Sequence, residues 1–316
     1  MTYLVYAVPG PVTNLPQPPS YWGLQVSWRG ADGSEWDLSD WTSGVAMLAE
    51  GFEGLHFPQF AADVLEADAM DGQIVTGVRV LPRPVSIRIG VMADTADLWA
   101  DLDQRWWRSW HPRTRGTLTV SSARGSRSIE LRLNPSDGFS FPKDPHTRGL
   151  AVYQLDAIAD QPLWAGDSVE RSWQAVEVVP FLDPGGSPPF HITPANLVAT
   201  ATMTNPGDVD AWPVWQVTAD GGDVDLTITC AGGSIGLPTV EDGDTVVVDT
   251  DRAHGGADRG VLVDGQLTGA VQIDTLISPR QYRRVPAGQT VPIGLTLEGP
   301  GRVTASLTPL YWRGLP

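Results

Sequence analysis

At 316 residues the chain is long enough for two domains, each able to bury its own core without disulfides or metal. Its formal charge of −16, from 21 Lys plus Arg against 37 Asp plus Glu, repels phosphate backbones and anionic lipid over most of the exterior, which argues against nucleic acid as a bound partner. The single cysteine, Cys230, excludes an intrachain disulfide framework and a cysteine-based zinc site, so folding rests on packing.

In chain order, residues 1–8 are followed by Pro9, Gly10 and Pro11 and lack the apolar run of a signal peptide. No later stretch approaches the roughly 18 apolar residues of a spanning helix, so membrane insertion is not expected and a cytoplasmic origin is. Five prolines between residues 9 and 19 predict a stiff extended arm. Leu24, Val26 and Trp28 then alternate with polar residues, a turn falls at residues 30–33, and Trp36-Asp37-Leu38 resumes the alternation, which predicts a hairpin. Residues 75–80 and 85–91 predict two strands on either side of Pro82-Arg83-Pro84, forming a half-exposed antiparallel sheet with Ser86 and Arg88 outward.

One helix is predicted, over residues 95–110, capped by Thr95 and stopped by Pro112, with Leu98, Leu102, Trp106 and Trp110 recurring every four residues on its core face. Trp107 lies about 100° around that helix, where core packing is the first expectation and contact with a partner subunit the alternative. Strand signals follow at residues 117–121, 128–133 and 150–159. A Pro/Gly break spans residues 183–194, and beyond it come seven short strands, within residues 197–204, 213–219, 224–230, 245–250, 260–263, 291–297 and 302–307. That succession, with turns such as Asp220-Gly221-Gly222, predicts a β-sandwich.

Catalytic chemistry finds little support. Gly232-Gly233-Ser234-Ile235-Gly236 matches the nucleophile-elbow string, but no helix follows it and the only downstream histidine is His254, so a β-turn is expected. Asp242, Asp244, Asp249 and Asp251 suggest calcium only until the spacing is checked: the sixth position from Asp249 is His254 and the twelfth Gly260, where an EF-hand needs Gly and Glu. His56, His111, His146, His191 and His254 show no metal-ligand spacing. Trp212 and Trp215, three apart on a strand, face opposite ways and cannot form one sugar-stacking platform. No catalytic residue, cofactor or metal is expected.

Three stretches resemble the distal tail proteins and related minor tail proteins of long-tailed (siphovirus) bacteriophages. Residues 72–79 with Leu81-Pro82-Arg83-Pro84-Val85 are similar to the family's amino-terminal pattern, and residues 159–166 resemble its interdomain junction. Thr204-Asn205-Pro206-Gly207-Asp208, Trp212-Pro213, Gly243-Asp244-Thr245, Asp249-Thr250 and Pro309-Leu310-Tyr311-Trp312 follow the order of its carboxy-terminal sandwich.

The resemblance implies an all-β fold with one principal α-helix: a ring-forming β-sandwich belt domain over residues 1–165 and a galectin-like, carbohydrate-binding-module-like sandwich over residues 166–316. It implies a ring, commonly a hexamer, at the tail tip of the virion, assembled from chains made in the host cytoplasm. The ring's partners would be other copies, the tail tube protein, the tape-measure protein and the tail-tip hub, with DNA passing unread through an acidic lumen. The charge divides as −6 before residue 166 and −10 after it, which suits such a lumen. Arg83, Pro84 and Trp107 are expected at a subunit or partner interface. The competing expectations are a host-adhesion module whose second domain binds cell-wall glycan, and a glycosidase, which requires two carboxylates across a cleft.

Overall fold

The computed structural model describes residues 23–66, 71–134, 144–175, 196–251, 256–263 and 266–316. The proline-rich arm, the loop 183–194, His191 and His254 lie outside these residues. The protein is mostly β, and among the described residues it has one α-helix.

The first half contributes β1 (Gln25–Arg29), β2 (Glu35–Asp37), β3 (Val45–Glu53), β4 (Phe60–Leu65), β5 (Ile74–Val80), β6 (Arg83–Met92), helix α1 (Ala96–Arg108), β7 (Gly116–Ser122), β8 (Gly125–Leu133) and β9 (Leu150–Ala159). β1 and β2 form the expected hairpin, with Trp28 opposite Trp36. The main sheet runs β2-β1-β7-β8-β9-β6-β3 and curls back on itself, since Met47 N donates to Leu38 O at 2.9 Å and Leu38 N to Val26 O at 2.8 Å. Alternation along β6 buries Val85, Ile87 and Ile89 and turns Arg88 outward, as period-2 patterning requires. Tryptophans fill the interior: Trp28 stacks on Trp110 at 3.8 Å between ring centroids, and Trp36 meets Trp106 edge-on at 5.4 Å.

The structure departs from the sequence expectations at several elements. β5 and β6 do not share a sheet; β5 pairs with β4 in a separate two-stranded ladder, while β6 pairs with β3 and β9. On α1, Leu98 is 57% exposed and its place on the core face is taken by Trp99. A four-residue step overshoots the helical turn by about 40°, so a strict repeat walks off the face, whereas Trp99, Leu102 and Trp106 stay on it. The helix ends at Arg108, before Pro112: the Ser109 hydroxyl donates to Trp106 O at 2.6 Å and accepts from Trp28 Nε1 at 3.0 Å, closing the last turn against the core.

The second half contributes β10 (Trp164–Gly166), β11 (Val169–Ala175), β12 (Asn196–Thr204), β13 (Pro213–Ala219), β14 (Asp225–Cys230), β15 (Gly233–Gly236), β16 (Thr245–Asp249), β17 (Ala257–Val263), β18 (Gln266–Gln272), β19 (Thr290–Glu298), β20 (Gly301–Leu307) and β21 (Leu310–Tyr311). Two antiparallel sheets, β11-β20-β13-β16-β17-β18 and β12-β19-β14-β15, enclose a second core. Trp215, Val217, Val246 and Val303 from the larger sheet meet Met203, Ile228, Ile293 and Leu295 from the smaller. This core and the first, which spans Val26 to Trp164, are separate clusters.

The last strand does not stay with the second core. β21 pairs with β10, which in turn pairs with β8 of the first sheet, so residues 310–316 form a strap laid across the first body.

Candidate interaction site

The groups that could have carried catalysis are occupied structurally. Ser234 lies on β15 opposite Thr229, in a strand that follows a tight turn at Ala231-Gly232, and no helix follows it. Asp242 Oδ1 accepts from Gly221 N at 2.8 Å, and Asp249 Oδ1 from Asp251 N at 3.0 Å, so both are turn carboxylates. Among the described residues no three His, Cys, Asp or Glu side chains converge to hold a metal. Burial in the second core pushes the Cys230 thiol up to about 11, leaving it un-ionised at neutral pH. Trp215 is fully buried and Trp212 half-buried beneath Arg284, 4.8 Å from its ring, so neither offers an open face to a sugar. No described helix is long and apolar enough to cross a membrane.

The conspicuous surface is the hairpin β4–β5. Adjacent strand residues point to opposite faces, and here both faces are apolar: Val64 opposite Val75 on one, Leu65 opposite Ile74 on the other. Leu65 is 56% exposed, Ile74 and Val75 52%, and Val78 62%. The ladder slips between Asp63 and Val64, where Thr76 is an extra residue on β5. Among the described residues the ribbon has no third strand and no covering layer; such a ribbon is marginal by itself, and one this apolar is ordinarily covered.

The root of the hairpin is tied down by Arg83, which is 1% exposed. Its Nε donates to Pro162 O at 2.7 Å, Nη1 to Gly54 O at 2.7 Å and to His56 O, and Nη2 to Trp312 O at 2.7 Å. All four acceptors are backbone carbonyls, from the segment entering β4, the turn after β9 and the strap. Desolvation lowers the guanidinium to about 10, so it remains charged at neutral pH, and the planar fork suits four divergent carbonyls.

The strap completes the junction. Trp312 lies against Phe57 and Phe60, with ring centroids 6.4 and 5.6 Å away, and Gly314 N donates to Leu55 O at 2.7 Å. A Cβ on Gly314 would sit 2.5 Å from the buried Trp164 ring, so only glycine permits that approach. Arg127 covers the Tyr311 ring at 3.7 Å and donates to Arg313 O at 2.7 Å. The turn singled out in the sequence, Asn205 to Asp208, docks the strap from the other side. Buried Asn205 donates to Val209 O and Val285 O, both at 2.9 Å, and accepts from Gly207 N at 2.9 Å. Asp208 N then donates to Leu310 O at 2.8 Å, across a gap that a Cβ at Gly207 would close to 2.7 Å.

Of the three residues expected at an interface, Arg83 is used inside the chain, its fork enclosed by its own backbone. Pro84 is exposed beside it, opposite Ile158 on β9, next to a cleft of about 320 Å³ that Phe57 and Asp156 also line. Trp107 is half-buried on α1, edge-on to Tyr153 at 5.0 Å. Tyr153 and Ile158 are five residues apart on β9, roughly 17 Å along a strand, so Trp107 does not join the other two.

No protein-family model matches the chain, and no curated protein does. Solved structures do. The crystal structure of the Dit protein of phage SPP1, described as a paradigm of the hub adsorption apparatus in phages infecting Gram-positive hosts, is 14% identical, with a TM-score of 0.54 over 91% of this chain and 99% of that one. The chain has the Dit fold. A chain of the phage P2 baseplate, in its activated conformation with Ca, aligns with a TM-score of 0.53 at 10% identity, over 91% of this chain and 98% of that one.

Within the Dit fold, sequence reasoning missed β4 and therefore the hairpin as a unit, although a signal was present. Phe60, Val64 and Leu65 before Asp71-Gly72 mirror Ile74, Val75 and Val78 after it, as hairpin arms do. Pro309 to Trp312, which the resemblance places with the second sandwich, has backbone partners on both sides: Leu310 and Tyr311 pair with β10 at the first sheet, and Leu310 also bridges Val209 of the second half.

Proposed function

We propose that the chain is a structural protein of a phage tail tip that closes with copies of itself into a ring, joining the tail tube to the distal hub and leaving a lumen for DNA. The observation that carries the reading is the uncovered apolar hairpin β4–β5 on a Dit fold. In a cyclic assembly each copy presents its hairpin to the next, so every apolar ribbon is buried and no edge is left over. The two separate cores support a division near residue 165 into a ring-forming body and a galectin-like sandwich, with the strap returning to the first. Pro84, exposed at the hairpin root, and Trp107 belong in this proposal to the surface between copies. The charge of −16 suits a lumen through which DNA slides without adhering.

Mass photometry and negative-stain micrographs of the purified full-length chain test this. A ring-shaped oligomer is expected at micromolar concentration, and Val78→Asp, which places a carboxylate on the hairpin, is expected to leave folded monomers. A wild-type chain that stays strictly monomeric across that range overturns the reading.

A further inference from the structure

We propose that the strap, residues 310–316, is the positioning element of the assembly surface: it sets the direction of hairpin β4–β5 and so decides whether a second copy of this chain can seat on it. The inference rests on the reading of that hairpin as the self-association surface.

Among the described residues the hairpin touches the rest of the molecule through its root, and the root is held jointly by Arg83 and the strap. Residues 54–60 lead into β4. Gly54 O and His56 O accept from Arg83, Leu55 O accepts from Gly314 N, and the Phe57 and Phe60 rings lie against Trp312. Arg83 stands on the returning side, three residues past β5, and its Nη2 reaches Trp312 O at 2.7 Å. Arg83 thus links the two legs directly through Gly54 O and His56 O, Leu81 N adds a bond to Gln59 O at 2.9 Å, and the strap fastens the same root from outside through Trp312 and Gly314.

Leverage makes the root decisive. Six residues of β4 extend about 20 Å at ~3.4 Å per residue, so a tilt of about 10° at the root displaces the tip by about 3.5 Å. That displacement exceeds the range over which apolar contacts keep their attraction. The strap also transmits a condition from the second sandwich. Only Thr308 and Pro309 separate β20 from β21, and the Asn205–Asp208 turn grips Leu310, so the strap is delivered to the first body when the second core has closed. An unfolded second sandwich would therefore leave the hairpin unset and keep an incomplete protomer out of the ring.

The test uses full-length variants read two ways: the concentration at which rings form, and amide hydrogen exchange within residues 60–65 and 74–80. Trp312→Ala is expected to raise the assembly concentration at least tenfold and to speed hairpin exchange, while Trp312→Phe, which keeps an aromatic face against Phe57 and Phe60, stays close to wild type. Near-UV dichroism checks that both cores persist. Phe57→Ala removes the other side of the same contact at a residue 60% exposed, so it keeps the test open where Trp312→Ala misfolds, and the same two shifts are expected. Rings at wild-type concentration together with unchanged hairpin exchange in Trp312→Ala and Phe57→Ala overturn the positioning role. Failure of the underlying reading looks different: wild type is then monomeric or Val78→Asp still forms rings, while hairpin exchange continues to report whether the strap sets the hairpin.

Discussion

Asp160 stands just past β9, and two arginines reach it. Arg132 Nε and Nη2 both lie 3.1 Å from its carboxylate, and Arg115 Nη2 lies 3.5 Å away. The hydrogen bonds from Arg132 hold its pKa below the ordinary 3.8, with the charges of both arginines adding to the effect. A carboxylate lowered in the folded state binds its proton more weakly there than in the unfolded chain. Its contribution is therefore fully present above about pH 4 and is lost as pH falls through the folded value. The carboxylate is about a third exposed, so solvent screening keeps that contribution to about 1 kcal/mol or less. Asp160→Asn is expected to lower the urea midpoint at pH 7 slightly and to remove part of the acid-induced fall between pH 4 and 2. Equal slopes for both proteins across that interval would contradict the assignment.

At the scale of elements, α1 offers a direct check on which face is buried. Trp106 is fully buried, edge-on to Trp36 and, at 5.9 Å, to Trp110, so Trp106→Ala is expected to cost about 3–5 kcal/mol in urea unfolding. Leu98→Ala should stay within about 0.5 kcal/mol, because that side chain is largely in water. Comparable losses at the two positions would restore the four-residue face that the sequence suggested. The same helix marks how far sequence carries. Thr95 was legible as its cap because capping is local, and its Oγ1 does accept from Leu98 N at 3.3 Å. Its end was not, since Ser109 closes the helix through Trp28, 81 residues away. Alternation gave β6, β13 and β20 because one face of each is buried. It failed for β4, whose burial pattern has no buried position for alternation to mark. Arg83 was marked by its Arg-Pro context, yet its role as a clamp depends on carbonyls from residues 54, 56, 162 and 312, which no local pattern brings together.

For the whole molecule the question is whether two cores behave as one cooperative unit. They share no buried apolar cluster, and the ties between them run through β10, β21 and the groups that grip the strap. Tyr311 is central to these ties: it pairs with Trp164, and its ring lies under Arg127, whose other contact is Arg313 O. Weak coupling of this kind is broken by one substitution, whereas a continuous core would tolerate it. Calorimetry of the wild-type chain at low protein concentration, where the chain is monomeric by mass photometry, is expected to show one cooperative transition. Tyr311→Ala should split it into two separated by several degrees, the first body melting earlier because it loses both an aromatic–cation contact and the β10–β21 ladder. Sodium chloride should raise both transitions by screening the self-repulsion of the −16 charge without rejoining them, since the lost contact is largely one of packing and backbone pairing. A single transition in Tyr311→Ala would mean that the interdomain segment alone couples the cores. Two transitions in the wild type would mean that the strap does not couple them at all, and the route by which the second sandwich licenses the hairpin would then be closed.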